Sequence, residues 1–207
     1  MSGLKMKNDI ALVPSVGRII WLYGRPCAGK TTIADDMADK LKQQMNPVIT
    51  LDGDELREGM NADLGFSPED RHENIRRTAE LAKFLAMKGF DVICSLVTPT
   101  RTLRSQIREL ASGFDLWLVY VDTPLEMCIR RDVKGHYQKA CSGQLDDFTG
   151  IGSPFELPSA EDDDLIVPTL DYTVAQCAQM ILEHKEITKT NPKQTKHEKA
   201  TLHSFDY

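Results

Sequence analysis

The chain alternates short apolar runs with longer segments of helical periodicity. Apolar or β-branched runs predict strands at residues 18–23, 47–51, 91–97, 116–121 and 165–167. Amphipathic or capped segments predict helices at residues 30–43, 68–88, 102–110, 124–132 and 173–185. Strands that alternate with helices form right-handed crossovers, so we predict an α/β fold with a mainly parallel sheet and helices on both faces.

Polar turns follow several of the predicted strands. They lie at Gly24 and at residues 52–54, 95–101 and 122–124. Ligands of parallel sheets bind beyond the carboxyl ends of the strands, so these turns are expected around one crevice. Residues 132–158 contain four glycines and little apolar periodicity, which predicts a mobile lid over that crevice.

Length and composition predict one domain with polar ends. We place an N-terminal segment at residues 1–17, the domain at 18–185 and a disordered polar tail at 186–207. No apolar stretch is long enough to cross a membrane, and no signal peptide is visible. The five cysteines are scattered and form no C-x-x-C pair, which favours a cytoplasmic location. A net charge of −6 argues against nucleic-acid binding.

The strongest motif is GRPCAGKTT at residues 24–32, which matches G-x-x-x-x-G-K-[ST] between a predicted strand and a predicted helix. Loop amides and the helix dipole converge there on a polyphosphate, which predicts an ATP site. We expect Lys30 to reach the β and γ phosphates and the Thr31 hydroxyl to coordinate Mg²⁺. The predicted ATP-binding residues are Gly24, Arg25, Pro26, Cys27, Ala28, Gly29, Lys30, Thr31 and Thr32.

Two further groups of residues favour phosphoryl transfer. Asp52 or Asp54 is able to accept a hydroxyl proton or hold Mg²⁺, although Asp and Gly are also ordinary turn residues. On one loop and helix start, Phe66, Arg71, Asn74 and Arg77 are able to stack a purine and grip a phosphate or sulfate. Phe66 is also able to act as an ordinary core staple at the helix entrance. Phe148 raises the same question, but a buried structural role is less natural for it in a glycine-bounded lid.

Several stretches in order resemble the adenylylsulfate kinase family across roughly residues 18–185. They are LDGDELR at 51–57, LGFSPEDRHENIRR at 64–77, VDTPLEMC at 121–128, RDVKG at 131–135 and FTGI at 148–151. The resemblance implies a P-loop nucleoside-triphosphate hydrolase fold. It also implies transfer of the ATP γ-phosphate to the 3′-hydroxyl of adenosine 5′-phosphosulfate, which gives PAPS and ADP for sulfate assimilation, in a homodimer.

The resemblance also assigns residues. Asp54 resembles the Mg²⁺-linked acidic residue at the acceptor hydroxyl. Arg131 stands at the start of the lid and is assigned to the ATP site. Thr98 takes the place of a characteristic serine, so the implied catalytic residues are Lys30, Asp54 and Thr98, and the metal residues are Thr31 and Asp54. The positions that match acceptor contacts are Asp52, Arg57, Phe66, Arg71, Asn74, Lys134, Phe148 and Ile151, to which the helix position of Arg77 adds one more.

The chain departs from the family pattern at two places. It reads LVTPTR at residues 96–101 where the family usually reads FISPYR, so two aromatic side chains are missing beside the acceptor. In the lid, Asp146 stands where the family commonly has a basic residue, and Asp147 follows it. Two carboxylates close to an anionic acceptor repel it unless they point to solvent. The departures at Thr98, Thr100 and Asp146 leave open a kinase for another nucleotide-linked acceptor, such as a nucleoside phosphoramidate or a different sulfonucleotide. A non-catalytic nucleotide-binding or regulatory module is a third hypothesis. Intact Lys30, Thr31, Asp54 and Arg71 argue against the module.

Overall fold

The computed structural model describes residues 16–145, 147–160, 162 and 164–190. The strands are β1 (Ile19–Tyr23), β2 (Val48–Asp52), β3 (Asp91–Leu96), β4 (Leu116–Asp122) and β5 (Leu165–Pro168). The helices are α1 (Lys30–Gln43), α2 (Gly53–Glu58), α3 (Pro68–Met87), α4 (Arg101–Leu110), α5 (Leu125–Arg131), α6 (His136–Cys141) and α7 (Val174–Thr190).

The five described strands form one sheet in the order β2-β3-β1-β4-β5, with every pair parallel. β1 is the central strand, and Tyr23 at its end is paired with Leu96 of β3 and Tyr120 of β4. The predicted α/β fold is therefore confirmed. Because the strands are parallel, their carboxyl ends share one edge, where the turn after β1 meets the turn after β2.

Helices cover both faces of the sheet, and β1 contributes to both cores. Ile20 and Leu22 pack in one core with residues of α1 and α7. Ile19, Trp21 and Tyr23 pack in the other core, against α3 and α4. This division follows from the strand geometry, since successive side chains point to opposite faces.

The long helices begin where the sequence predicts. Gly29 precedes α1 with φ of 101°, a left-handed conformation that glycine adopts at low cost. Ser67 caps α3, because its hydroxyl accepts a hydrogen bond of 3.1 Å from the Asp70 amide, and Pro68 follows at the first helical position. These caps set the direction in which each helix leaves the edge that carries the turns.

Two short helices were not predicted. Residues 53–58 form α2 rather than a polar loop, with Asp52 as its N-cap. The predicted lid contains α6, in which Tyr137 and Ala140 are buried. Helices of six residues are too short to show an apolar period, which explains why the sequence pattern missed them.

The last described helix continues past the predicted domain end at residue 185, because α7 runs to Thr190. The predictions for residues 1–15 and 191–207 lie outside the described residues. Among the described residues, no helix combines the length and the apolar character needed to cross a bilayer.

Candidate active site

The phosphate loop leaves β1 through a tight approach to β4. A Cβ atom at Gly24 would lie 2.8 Å from the carbonyl oxygen of Val121, so only glycine fits there. The loop continues through a turn in which the Ala28 amide donates to the Arg25 carbonyl at 3.2 Å. Its last residue, Gly29, aims the start of α1 and the positive end of that helix into the loop.

Lys30 lies buried inside this loop. Its amine donates to the carbonyl oxygens of Gly24 at 3.1 Å and Arg25 at 2.8 Å. Burial lowers the pKa of Lys30 to about 8, although the nearby Asp52 carboxylate acts in the opposite direction. A polyphosphate in the loop would favour the charged amine, as the motif predicts.

Asp52 connects the phosphate loop to the turn after β2. Its Oδ2 accepts a hydrogen bond of 2.6 Å from the Thr31 hydroxyl, and its Oδ1 accepts one of 2.8 Å from the Asp54 amide. The structure thus pairs Thr31 with Asp52, whereas the sequence had paired Thr31 with Asp54 as the metal residues. The sequence alone does not show which of the two carboxylates contacts Thr31, because that depends on Asp52 acting as the N-cap of α2.

Asp54 faces the lid instead. Its carboxylate forms an ion pair of 2.6 Å with the amine of Lys134, and that hydrogen bond raises the pKa of Lys134. Both side chains are exposed, so the pair is open to ligands. The contact brings together one predicted catalytic residue and one predicted acceptor-binding residue.

The oxygen donors near the loop fit Mg²⁺. The Thr31 hydroxyl and the Asp52 carboxylate are hard ligands, and Mg²⁺ is usually held by one or two carboxylates together with substrate phosphates. Among the described residues, no three His, Cys, Asp or Glu side chains gather into a metal cluster.

Two guanidinium groups flank the exposed ring of Phe66. The central guanidinium carbon lies 4.5 Å from the ring centroid in Arg57 and 5.7 Å from it in Arg71. Neither arginine forms an ion pair with a carboxylate in the described part of the chain; their hydrogen bonds go to carbonyl oxygens and one hydroxyl. Phe66 is 59% exposed, so it does not serve as a core staple.

Burial lowers the pKa of both arginines, and the charge of Arg57 lowers that of Arg71 further. The charges of Asp54 and Asp70 act in the opposite direction on Arg57, and that of Asp147 does so on Arg71. Two adjacent cations that form no ion pair within the described residues are still costly, and an anion bound between them would relieve that cost. The arrangement suits a ligand with an aromatic ring and a neighbouring anionic group.

Arg71 also joins α3 to the lid. It donates to the Thr149 hydroxyl at 3.2 Å and to the Asp147 carbonyl at 3.0 Å. Phe148, between them, packs edge-on against Tyr137 with ring centroids 4.8 Å apart. The structural interpretation of Phe148 therefore has direct support, while Ile151 is exposed beside it.

Two predicted ATP-binding arginines contact the phosphate loop or its surroundings. Arg131 donates to the carbonyl oxygens of Cys27 at 3.2 Å and Ala28 at 3.1 Å. Arg25 turns away toward β4, where it donates to the Tyr120 hydroxyl at 3.2 Å and lies 5.0 Å from the Phe155 ring. Arg131 is thus better placed than the Arg25 side chain to meet a nucleotide in the loop.

Two predicted acceptor residues on α3 are engaged within the chain. The Asn74 amide oxygen accepts a hydrogen bond of 2.9 Å from Nδ2 of Asn61. Arg77 donates to Glu73 at 2.8 Å and to Asp63 at 2.6 and 2.9 Å. The guanidinium of Arg77 thus holds the turn before α3, and its contact with the acceptor stays a prediction. Sequence reasoning missed Asn61 altogether.

Both threonines that depart from the family pattern have partners. Thr98 is 2% exposed, and its hydroxyl accepts a hydrogen bond of 3.0 Å from the Trp21 indole. Thr100 caps α4 through a hydrogen bond of 3.3 Å from the Leu103 amide. The structure therefore turns the Thr98 hydroxyl into the core, and its catalytic role stays a prediction. Asp146 lies outside the described residues.

Sequence reasoning also missed how α4 holds the segment that leads into β5. Arg104 is buried and donates to the carbonyl oxygens of Thr98 at 3.4 Å and Leu157 at 3.5 Å. Arg108 forms an ion pair with Asp164, which also accepts a hydrogen bond of 2.6 Å from the Tyr23 hydroxyl. The four-residue spacing of these arginines was the available signal, since it places both on one side of the helix.

Comparison with known proteins identifies a family for this chain. The family model described as adenylylsulphate kinase matches residues 16–167. The adenylyl-sulfate kinase of Acaryochloris marina is 43% identical over 165 residues, which cover 80% of each chain. The probable adenylyl-sulfate kinase of Bacillus subtilis is also 43% identical over 165 residues, which cover 80% of this chain and 83% of the relative.

A solved structure gives the same result. The Mycobacterium tuberculosis APS kinase CysC in complex with AMPPNP and APS superposes with a TM-score of 0.80 at 38% identity, covering 84% of this chain and 99% of that chain. The residues matched by the family model, 16–167, include the phosphate loop, the turn after β2, α3 and all of the predicted lid at residues 132–158. The chain therefore belongs to the adenylyl-sulfate kinase family.

Proposed function

We infer that this protein transfers the ATP γ-phosphate to the 3′-hydroxyl of adenosine 5′-phosphosulfate, which gives PAPS and ADP. The observation that carries the acceptor assignment is the exposed Phe66 ring between the guanidinium groups of Arg57 and Arg71, which form no ion pair within the described residues. A purine stacks on such a ring, and a phosphosulfate takes the adjacent cations. The complex of CysC with APS, in a protein of 38% identity, supports the same acceptor.

ATP takes the phosphate loop in this proposal. Lys30 lies in the loop, and Arg131 reaches its carbonyls. Because phosphoryl transfer depends on positioning and on neutralisation of charge, these cations supply what the protein must contribute. The AMPPNP bound to CysC supports this placement.

Thr31 and Asp52 would hold Mg²⁺ beside the β and γ phosphates. When bound, Mg²⁺ neutralises charge on those phosphates. Asp54, the second residue of α2, would accept the proton of the acceptor hydroxyl. Its ion pair with Lys134 places a lysine ammonium beside that carboxylate. The ammonium is able to stabilise the negative charge that develops on the acceptor oxygen as its proton is removed.

The threonine departures do not favour another acceptor. Thr100 caps a helix and Thr98 binds the Trp21 indole, so both have structural roles in this chain. The homodimer and the cytoplasmic location, which rest on the resemblance and the cysteine pattern, stay predictions.

An acceptor panel tests the proposed function. ADP release is measured with Mg-ATP and, in separate reactions, adenosine 5′-phosphosulfate, AMP, CMP and a nucleoside phosphoramidate, with each product identified by mass. We expect the highest kcat/KM for adenosine 5′-phosphosulfate. Faster turnover of another acceptor would overturn the assignment, and equal ADP release without any acceptor would identify a hydrolase.

A further inference from the structure

Asn61 lies in the turn between α2 and α3 and is completely buried. Its backbone amide donates to the Leu56 carbonyl at 2.8 Å, and its side-chain Nδ2 donates to Oδ1 of Asn74 at 2.9 Å. Neither the motifs nor the proposed mechanism gives this residue a role.

The hydrogen bond from Asn61 engages one end of the Asn74 amide and leaves the other end for a ligand. With its oxygen engaged, Asn74 has its NH₂ group to offer, and that group donates only. A donor suits the oxygens of a phosphosulfate or the ring nitrogens of a purine. If the amide were reversed, an acceptor oxygen would face those groups and repel them.

We propose that Asn61 is a positioning residue for the acceptor nucleotide, because it holds the Asn74 amide with its NH₂ group toward the acceptor site. The inference rests on the proposed function, and it deepens that function by naming a residue on which acceptor affinity depends. Asn61 acts through Asn74 and does not itself touch the nucleotide.

The other half of the Asn61 amide supports a functional reason for this residue. Its Oδ1 is buried and has no hydrogen-bond partner among the described residues. A buried acceptor without a partner destabilises the folded state, so Asn61 contributes less to stability than a fully hydrogen-bonded amide would. The donor that Asn61 directs at Asn74 is what an apolar residue would lack.

The turn that carries Asn61 is itself anchored to α3. Arg77 donates to the Met60 carbonyl at 3.2 Å and forms a two-bond ion pair with Asp63, so residues on both sides of Asn61 are held. Arg77 lies three residues after Asn74 on the same helix and therefore on nearly the same face. One helix face thus presents Asn74 and holds the turn that orients it.

A double-mutant cycle tests the proposal with the full-length protein. Asn61→Ala, Asn74→Ala and the double variant are assayed for KM and kcat with adenosine 5′-phosphosulfate and with ATP. We expect Asn61→Ala to raise the acceptor KM about tenfold, with the ATP KM changed less than about twofold. In the Asn74→Ala background the same change should alter the acceptor KM less than about twofold, because Asn61 acts only through Asn74.

A near-isosteric variant keeps the test decisive if the alanine variant fails to fold. Asn61→Asp places an acceptor opposite the Asn74 oxygen, so the Asn74 amide must turn its NH₂ group inward and present its oxygen to the nucleotide. We expect a larger rise in the acceptor KM than for Asn61→Ala. A wild-type acceptor KM in Asn61→Asp would overturn the proposal.

Thr78→Val is the matched control. The Thr78 hydroxyl donates to the backbone carbonyl of Asn74 at 2.8 Å, so its removal disturbs the same residue but leaves the side-chain amide alone. We expect a lower melting temperature and an unchanged acceptor KM. An equal rise in acceptor KM for Thr78→Val, or equal losses from Asn61→Ala in both backgrounds, would show a packing effect and overturn the proposal. Absence of wild-type turnover would instead contradict the proposed function.

Discussion

Lys30 shows how burial at a single residue becomes a pH dependence. Its pKa of about 8 reflects desolvation in the free loop, so the amine is charged below that pH and neutral above it. A polyphosphate favours the charged form, and binding above the free pKa must therefore take up a proton. We expect the Kd for Mg-ATP to rise by about tenfold per pH unit above about pH 8.5.

Titration calorimetry across that range, in buffers of different ionisation enthalpy, measures both the Kd and the proton uptake. Lys30→Gln is the control. This variant should bind Mg-ATP more weakly, but it has no lysine to protonate, so its Kd should not change with pH. A level Kd in the unmodified protein would contradict the assignment of Lys30 to the phosphates.

Arg71 links acceptor and lid through one guanidinium group. Arg71→Ala removes a cation beside Phe66 and two hydrogen bonds to the lid, at Thr149 and Asp147. We expect the acceptor KM to rise by at least about tenfold, the loss typical of a hydrogen bond to a charged group, with a much smaller change for ATP. Steady-state kinetics with each substrate varied in turn measures the difference.

Arg76→Ala is the matched control for Arg71, since Arg76 lies on the same helix and pairs with Glu73 at 2.7 and 2.8 Å. We expect both KM values to stay near those of the unmodified protein. Equal losses for ATP and acceptor in Arg71→Ala would count against the placement of Arg71 at the acceptor.

The sequence predicts which residues are functional better than it predicts the side chains to which they hydrogen-bond. Lys30 and Thr31 follow from the spacing of one motif, which is local in the chain. The bonds from Thr31 to Asp52 and from Asn61 to Asn74 join residues 21 and 13 positions apart, and they depend on how the elements pack. The sequence therefore named Asp52 and Asn74 but did not show what holds them.

At the scale of elements, prediction succeeded where a period or a cap was long enough to see. The predicted bounds of α1 coincide with the observed helix, and Ser67 caps α3 as expected. The two short helices α2 and α6 were not predicted, because six residues are too few to show an apolar period. The lid is consequently more ordered than its composition suggested, and its mobility stays a prediction.

The turn between β3 and α4 gives a stability prediction at this scale. Thr98 has a positive φ of 42° and supplies the acceptor for the buried Trp21 indole of β1. Thr98→Val keeps the shape and β-branching but leaves that N–H unpaired, so we expect the free energy of unfolding to fall by about 1–3 kcal/mol. Chemical denaturation measures the change.

Thr98→Ser is the comparison, since it keeps the hydroxyl and should stay close to the unmodified protein in stability. If Thr98→Val proves as stable as the unmodified protein, the bond to Trp21 is not what holds this turn to β1.

For the whole molecule, the sequence predicted the architecture and the edge that carries the site, and the family match confirms the predicted kinase family. Parallel strands bring their carboxyl ends together whatever their order, so the crevice followed from the strand and helix pattern alone. The strand order itself could not be predicted from the pattern, because it depends on pairings between residues distant in the chain. The contacts of Arg104 with Leu157 and of Arg108 with Asp164 could not be predicted for the same reason.

The position of the transferred phosphate is the most direct test of the proposed reaction. The ³¹P NMR spectrum of a reaction with Mg-ATP and adenosine 5′-phosphosulfate would show where the new phosphomonoester is attached. We expect a phosphomonoester resonance coupled to the H3′ proton while the 5′-phosphosulfate resonance persists. A phosphate on any other oxygen, or inorganic phosphate with unchanged adenosine 5′-phosphosulfate, would contradict it.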